Sequence, residues 1–266
     1  MRVRVRASGW LGMWLCVAAA LGAGYAHAQS APDARALLVK MGEFIGNTQR
    51  LSVTTRSSYD TLQTSGDKIE WNEVRTLTLS RPDRLRIETE KSNGARSLIL
   101  FDGKTISAYD EAGRAYSQTP QPGDIDATLV YFVRDLGMRL PLAVFFVSHA
   151  GTLLDRRVKS VEYVEKTGIL GVPAHHLVGR TDVNFQIWIA DGAQPLPQRL
   201  VLTYPKSPGQ PQFRAQFVGW NLAPELPDSL FAFAPPAGAN RIPFAAALAQ
   251  SGRATTGASG RKGAKP

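Results

Sequence analysis

Residues 183–204 constrain the fold of this chain more than any other stretch. Val183, Phe185, Ile187 and Ile189 alternate with Asn184, Gln186 and Trp188, the period of two expected of a strand with one face buried and the other wet. Asp191-Gly192 and Pro195-Leu196-Pro197 interrupt the pattern. A second alternation follows, with Leu200, Leu202 and Tyr204 set against Arg199, Val201 and Thr203. Two strands joined by a short Pro-bearing link form a hairpin-like unit. A half-apolar hairpin of this kind is not stable alone and must be covered by more of the chain.

The rest of the sequence supplies that cover in two forms. Residues 50–119 read as a β-meander: alternating segments broken by Arg81-Pro82-Asp83, Ser92-Asn93-Gly94 and Asp102-Gly103. Within it, Leu98-Ile99-Leu100-Phe101 is continuously apolar and reads as a strand covered on both faces. Strands resume at residues 156–166, 174–179 and 213–219. Two helical segments interrupt this β pattern. Ser30-Ala31-Pro32-Asp33 is a helix start, followed by Leu37, Leu38, Met41, Phe44 and Ile45 at helical spacing and ended by Gly46-Asn47. A central insert, residues 124–149, opens on Asp124 as a cap and carries Ile125, Leu129, Phe132, Val133 and Leu136 on one helical face. It continues past Leu140-Pro141 to Phe145-Phe146, so it reads as two short helices with a bend. A further turn of helix is expected at residues 226–231. The sum is a mainly β (α+β) chain of nine to eleven antiparallel strands. A sheet of that size tends to curl into a half-open barrel, with the N-terminal helix and the insert on its concave face.

The ends of the chain belong to its address rather than its fold. Arg2, Arg4 and Arg6, the apolar run of residues 10–21 and Ala26-His27-Ala28 form a secretory signal, with cleavage expected before Gln29 and export to the periplasm. Cys16, the only cysteine, lies inside it, and the bulky Met13-Trp14-Leu15 before it argues against a lipid anchor. The mature chain has no thiol and must be held by its core. Residues 29–244 are long enough for one domain with a substantial core. Residues 245–266 are rich in Ala, Gly, Ser, Arg and Lys and read as a disordered tail. Of the formal charge of +9, three arginines lie in the leader and five cations from Arg241 onward. The folded part is thus nearly neutral, and the basic balance is no sign of nucleic-acid binding. The tail cations are available to acidic lipid at low salt, a peripheral membrane contact.

Few residues suggest chemistry. His175 and His176 are adjacent, and neighbours on a strand point to opposite faces, so they do not chelate one ion; His149 is the only other histidine after the leader. No metal or other cofactor is expected. No G-x-S-x-G, H-E-x-x-H or P-loop is present. Asp102, Asp110 and Asp191 sit beside Gly or in loops, as turn residues do. Glu88 and Glu90 lie on one strand face beside Arg84 and Arg86, which reads as a solvated face. The chain is therefore read as non-enzymatic, with hydrolysis the weakest alternative.

A run of short motifs carries a resemblance. Gly171-Val172-Pro173, His176-Leu177, Trp188-Ile189-Ala190-Asp191 and Leu196-Pro197-Gln198-Arg199, then Phe217 to Trp220, Leu230-Phe231 and Pro235-Pro236 occur in this order. From Trp188 onward the run resembles the C-terminal half of the Lol-type lipoprotein carriers. It is more similar to a related group of predicted periplasmic proteins of unknown function. The resemblance covers most of residues 34–236 by order of elements. It implies a half-open antiparallel barrel with helices at its mouth and a site for acyl chains or another apolar ligand. The expected lining is Leu129, Phe132, Val133, Phe145 and Phe146 from the insert, facing Ile87, Ile187, Ile189 and Phe217 from strands. The first reading is a monomeric periplasmic carrier or sensor of an acyl chain, lipid or lipoprotein. The alternative is an envelope factor that binds another protein and no small ligand.

Overall fold

In a computed structural model, residues 31–168 and 171–244 are described. Residues 1–30, which include the expected leader, lie outside that range, as do residues 169–170 of the expected turn at 168–171 and the expected tail. Strands β1 to β12 are Arg50–Leu62, Lys68–Ser80, Arg84–Lys91, Arg96–Phe101, Thr105–Asp110, Ala115–Pro120, Ser160–Thr167, Ala174–Arg180, Asn184–Ala190, Pro197–Thr203, Gln212–Asn221 and Asn240–Arg241. Helices α1, α2 and α3 are Ala34–Asn47, Ile125–Val130 and Ala150–Arg157.

All twelve strands form one open sheet, in the order β12-β6-β5-β4-β3-β2-β1-β11-β10-β9-β8-β7. Every ladder is antiparallel except β12 on β6. The chain winds outward from β1 to β6, crosses back through the helices to the opposite edge at β7, and returns to β1 through β11. Two crossings are long: residues 121–159 join β6 to β7, and residues 222–239 carry the chain from β11 to β12 beside β6.

Flat, twelve strands would span about 50 Å. Yet Ile106 on β5 and Leu177 on β8 belong to one buried cluster with Met41 of α1 and Phe132. The sheet must therefore curl around its helical layer. Bulges at Ser52/Thr54, Tyr163/Glu165 and Pro197/Arg199 help, because an extra residue bends a strand.

The helix start lies at the end of the expected stretch 30–33. Asp33, not Ser30, is the cap, and its carboxylate accepts from the Arg35 and Ala36 amides. The central insert differs from two α-helices. After α2 the chain passes into a π-turn at Tyr131–Asp135, then a loop and a single 3-10 turn at Ala143–Phe145. Helix α3 begins where the insert was expected to end. Its signal, Ala150 with Leu153 and Leu154 at i+3 and i+4, is only two turns long. Strand β12 is two residues, too short to give an alternation. The expected helical turn at 226–231 is the 3-10 turn Asp228–Leu230.

The apolar run on β4 is covered on both faces, as its continuity implied. Phe101 points into the helix-side core, while Leu100 is buried on the outer face. There the segment after β11 returns across the sheet: Arg86 donates to the Leu230 carbonyl at 3.0 Å, Phe231 is buried, and Phe233 packs on Tyr116 with centroids 5.6 Å apart.

Candidate ligand-binding site

The helix-side face of the sheet is built from alternate residues placed opposite one another by register. Leu79 pairs with Leu51 and with Leu85, and Leu85 pairs with Phe101. Across β11 to β8, Ala215, Leu200, Ile187 and Leu177 form the matching row. Farther along β2 and β3 the same face turns polar. Glu73 is buried, accepts from Ser57 at 3.3 Å, pairs with Arg75 at 2.8 Å and lies opposite Lys91. One end of this face is thus an apolar floor, and the other end is charged.

The segment from Asp124 to His149 covers the apolar end. Ile125 and Phe132 are fully buried, Leu129, Phe145 and Phe146 nearly so, all in the cluster that holds Ile87, Ile187, Ile189 and Phe217. Phe145 meets Phe217 edge-on with centroids 6.2 Å apart, which joins the segment directly to the floor. Eight of the nine residues expected to line a site are brought together in this way. The ninth is not: Val133 is 46% exposed. In the π-turn the Leu136 amide bonds to the Tyr131 carbonyl, five residues back. Val133 lies inside this π-turn, where the backbone departs from the 3.6-residue period on which its expected facing rests.

Polar attachment of this segment to the rest of the fold is confined to one point. Apart from the backbone bonds by which it runs on into α3, its hydrogen bonds and ion pairs outside itself, among the described residues, converge on Arg81 and Pro82. The Ile125 amide donates to the Pro82 carbonyl at 2.8 Å. Arg81 donates to the Phe146 carbonyl at 2.8 Å and to the Thr48 carbonyl at 3.2 Å, and lies 3.8 Å from Asp126. Burial pulls the Arg81 guanidinium below its ordinary range, opposed by the Asp126 and Asp124 carboxylates. Asp126 in turn accepts from the Ser148 amide at 2.8 Å and lies 3.1 Å from His149 Nδ1, so both ends of the segment are tied together. From sequence, Arg81 reads only as a turn residue. Its partners Asp126 and Phe146 are far along the chain, the latter 65 positions away, and nothing local announces them. Tyr131, Leu136, Met138, Leu140, Ala143 and Val144 are only partly buried against the core and form the rim.

The histidine pair points to opposite faces. His175 turns inward, 3.4 Å from the Tyr163 hydroxyl and 3.1 Å from Asp191. Asp191 is more than a turn residue: its hydrogen bonds from Lys166 and then His175 hold its carboxyl below the usual range. His176 turns outward and stacks on Trp188 at 4.1 Å. Among the described residues, no group of three His, Cys, Asp or Glu is placed to hold a metal ion. No helix there is long and apolar enough to cross a membrane.

The family comparison agrees with one part of the resemblance, that to predicted periplasmic proteins of unknown function. No curated protein matches. Among solved structures, an uncharacterized conserved protein from Thermus thermophilus is similar at 14% identity and a TM-score of 0.46, over 78% of this chain and 98% of that one. The Pseudomonas aeruginosa MucA/MucB complex matches at 20% identity and a TM-score of 0.41, over 76% of this chain and 62% of that one. A LolA superfamily protein from Nitrosomonas europaea matches at 11% identity and a TM-score of 0.33, over 76% and 99%. Likenesses at these TM-scores carry no argument about fold or activity. The sequence itself matches the family model described as "Predicted periplasmic protein (DUF2092)" over residues 34–245. That match takes in the helices, the whole sheet and the covering segment, and the chain belongs to the DUF2092 family of predicted periplasmic proteins.

Proposed function

We propose that this protein is a non-enzymatic carrier or sensor that holds an acyl chain, or an apolar group of similar shape, between the sheet and the segment 124–149. The observation that supports this reading is the mismatch between how much the segment covers and how it is attached. It buries Ile125, Leu129, Phe132, Phe145 and Phe146, yet its described polar ties to the sheet converge on Arg81 and Pro82. A layer held by apolar contact can exchange one apolar partner for another, because burial is non-directional and proportional to area. Backbone ladder bonds cannot be exchanged in that way. Each methylene of an incoming chain contributes about 0.8 kcal/mol, so a long acyl chain replaces what the lid gives up. The hinge keeps the segment in place while it opens, and the partly buried rim from Tyr131 to Val144 offers the path in.

The test is direct. Delipidated mature protein is titrated with a fluorescent fatty-acid probe, and lipid is extracted from protein isolated from the periplasm and identified by mass spectrometry. The expected result is saturable binding and a co-purified acyl species. In Phe146→Glu, probe binding is lost while circular dichroism still reports the sheet. Absence of probe binding by delipidated wild type, with global unfolding of the variant, would discard the carrier reading and leave a closed core whose partner is another protein.

A further inference from the structure

The outer face of the sheet, away from the lid, carries a second feature that this reading does not use. Register places Glu90, Val74, Arg56, Gln216, Arg199, Trp188 and His176 in one row across seven strands, β3 to β8 by way of β2, β1, β11, β10 and β9. Arg56, Gln216 and Arg199 line a cleft of about 620 Å³.

The charges in this cleft do not cancel in place. Glu90 is engaged by Arg96 at 3.3 Å. Glu73, whose side chain leaves on the helix-side face, pairs with Arg75 there at 2.8 Å. Arg214 is committed to Asp60 at 2.9 Å and reaches Glu70 at 3.9 Å. Among the described residues, Arg56 and Arg199 have no carboxylate partner. They stand two strands apart, about 10 Å between Cα atoms, with the Gln216 side chain between them. Arg199 is also held in position. Its guanidinium lies 5.5 Å from the Trp188 ring centre, Trp188 stacks on His176 at 4.1 Å and 9°, and His176 Nε2 is 3.1 Å from Gln186 Oε1. With this stack in place, holding Arg199 costs a ligand little side-chain entropy.

From this arrangement we infer an anion site, formed by Arg56, Gln216 and Arg199, for the phosphate group of a small soluble ester. Two guanidinium forks and an amide supply more N–H donors than one carboxylate can accept, and they suit the several oxygens of a phosphate. The groups face a shallow cleft in which a small ester reaches both guanidinium groups, and the vesicle arm of the test separates it from a bilayer surface. The site lies on the opposite face from the lid and does not depend on acyl-chain binding.

The probe is glycerol 3-phosphate, titrated into full-length mature protein and followed by amide and indole NMR shifts, with inorganic phosphate in parallel. Saturable shifts at Arg56, Arg199, Gln216 and the Trp188 indole are expected. Arg56→Gln and Arg199→Gln each weaken binding at least tenfold at fixed ionic strength. Arg96→Gln, which removes an outer-face arginine engaged with Glu90, changes it less than twofold. The fatty-acid probe binds all three variants as it binds wild type. Three outcomes overturn the proposal: no saturable shift, equal weakening by Arg96→Gln, or cosedimentation with phosphatidylglycerol vesicles without binding of the soluble ester. The last would make the row a membrane contact.

Discussion

Arg81 donates to the Phe146 carbonyl oxygen at 2.8 Å across 65 residues of sequence, from a side chain only 7% exposed. This bond and the nearby Asp126 join the β2–β3 turn to both ends of the covering segment. Removing the guanidinium in Arg81→Ala leaves the Phe146 and Thr48 carbonyls and Asp126 without their cation in a buried place. A loss of about 2–4 kcal/mol is expected, and thermal denaturation should show a melting temperature lowered by roughly 5–10 °C. If the segment is a lid, stopped-flow mixing also shows faster entry of the fatty-acid probe. An unchanged melting temperature would mean that the segment is held by apolar contact alone.

A second tie gives a pH dependence. Burial raises the Asp60 carboxyl, but the hydrogen bonds from Arg214 and the Gln212 amide, with the charges of Arg214 and Lys68, outweigh it and hold the group below its ordinary value. A carboxyl depressed in the folded state adds stability above its unfolded value, near pH 4. That stability is lost as the pH falls through the folded value. Asp60→Asn should therefore be less stable than wild type by about 2 kcal/mol at neutral pH, with the gap closing in denaturant titrations carried out progressively below pH 4. A gap independent of pH would assign the loss to packing instead.

Helices α1 and α3 touch through glycine. A Cβ built on Gly42 would lie 2.7 Å from the Gly151 Cα and 2.9 Å from the Ala150 carbonyl carbon. These are backbone atoms and cannot rotate aside, so the two helices would have to part. Gly42→Val is expected to cost about 1–3 kcal/mol, measured as a shift in the urea midpoint with an unchanged slope.

Deleting residues 245–266 is expected to leave the melting temperature of the mature protein within about 1 °C, since a stretch this poor in large apolar residues offsets little ordering entropy. The measurement is a pair of thermal melts on the full and shortened proteins, and a clear drop would mean that the tail docks.

Much of this molecule could be read directly from its residues. Period-two runs such as Phe185-Ile187-Ile189 specify a strand and its buried face together, because side-chain direction follows from backbone geometry alone. Breakers such as Arg81-Pro82-Asp83 and Asp102-Gly103 place the turns for the same local reason. The apolar residues of the insert marked it as cover for the sheet, and eight of the nine residues named for the site meet in one cluster.

What the chain alone could not convey is nonlocal. Val133 lies exposed inside a π-turn that no local residue pattern announces. The charge of Arg81 is satisfied by Phe146 and Asp126, and the approach of Gly42 to Gly151 joins positions more than a hundred residues apart. The row from Arg56 to Arg199 exists only because β1 and β11, far apart in sequence, pair within the sheet. Local sequence determines which way a side chain points; which groups it then meets is decided by strand order and register, and those are settled by the burial of the whole sheet at once.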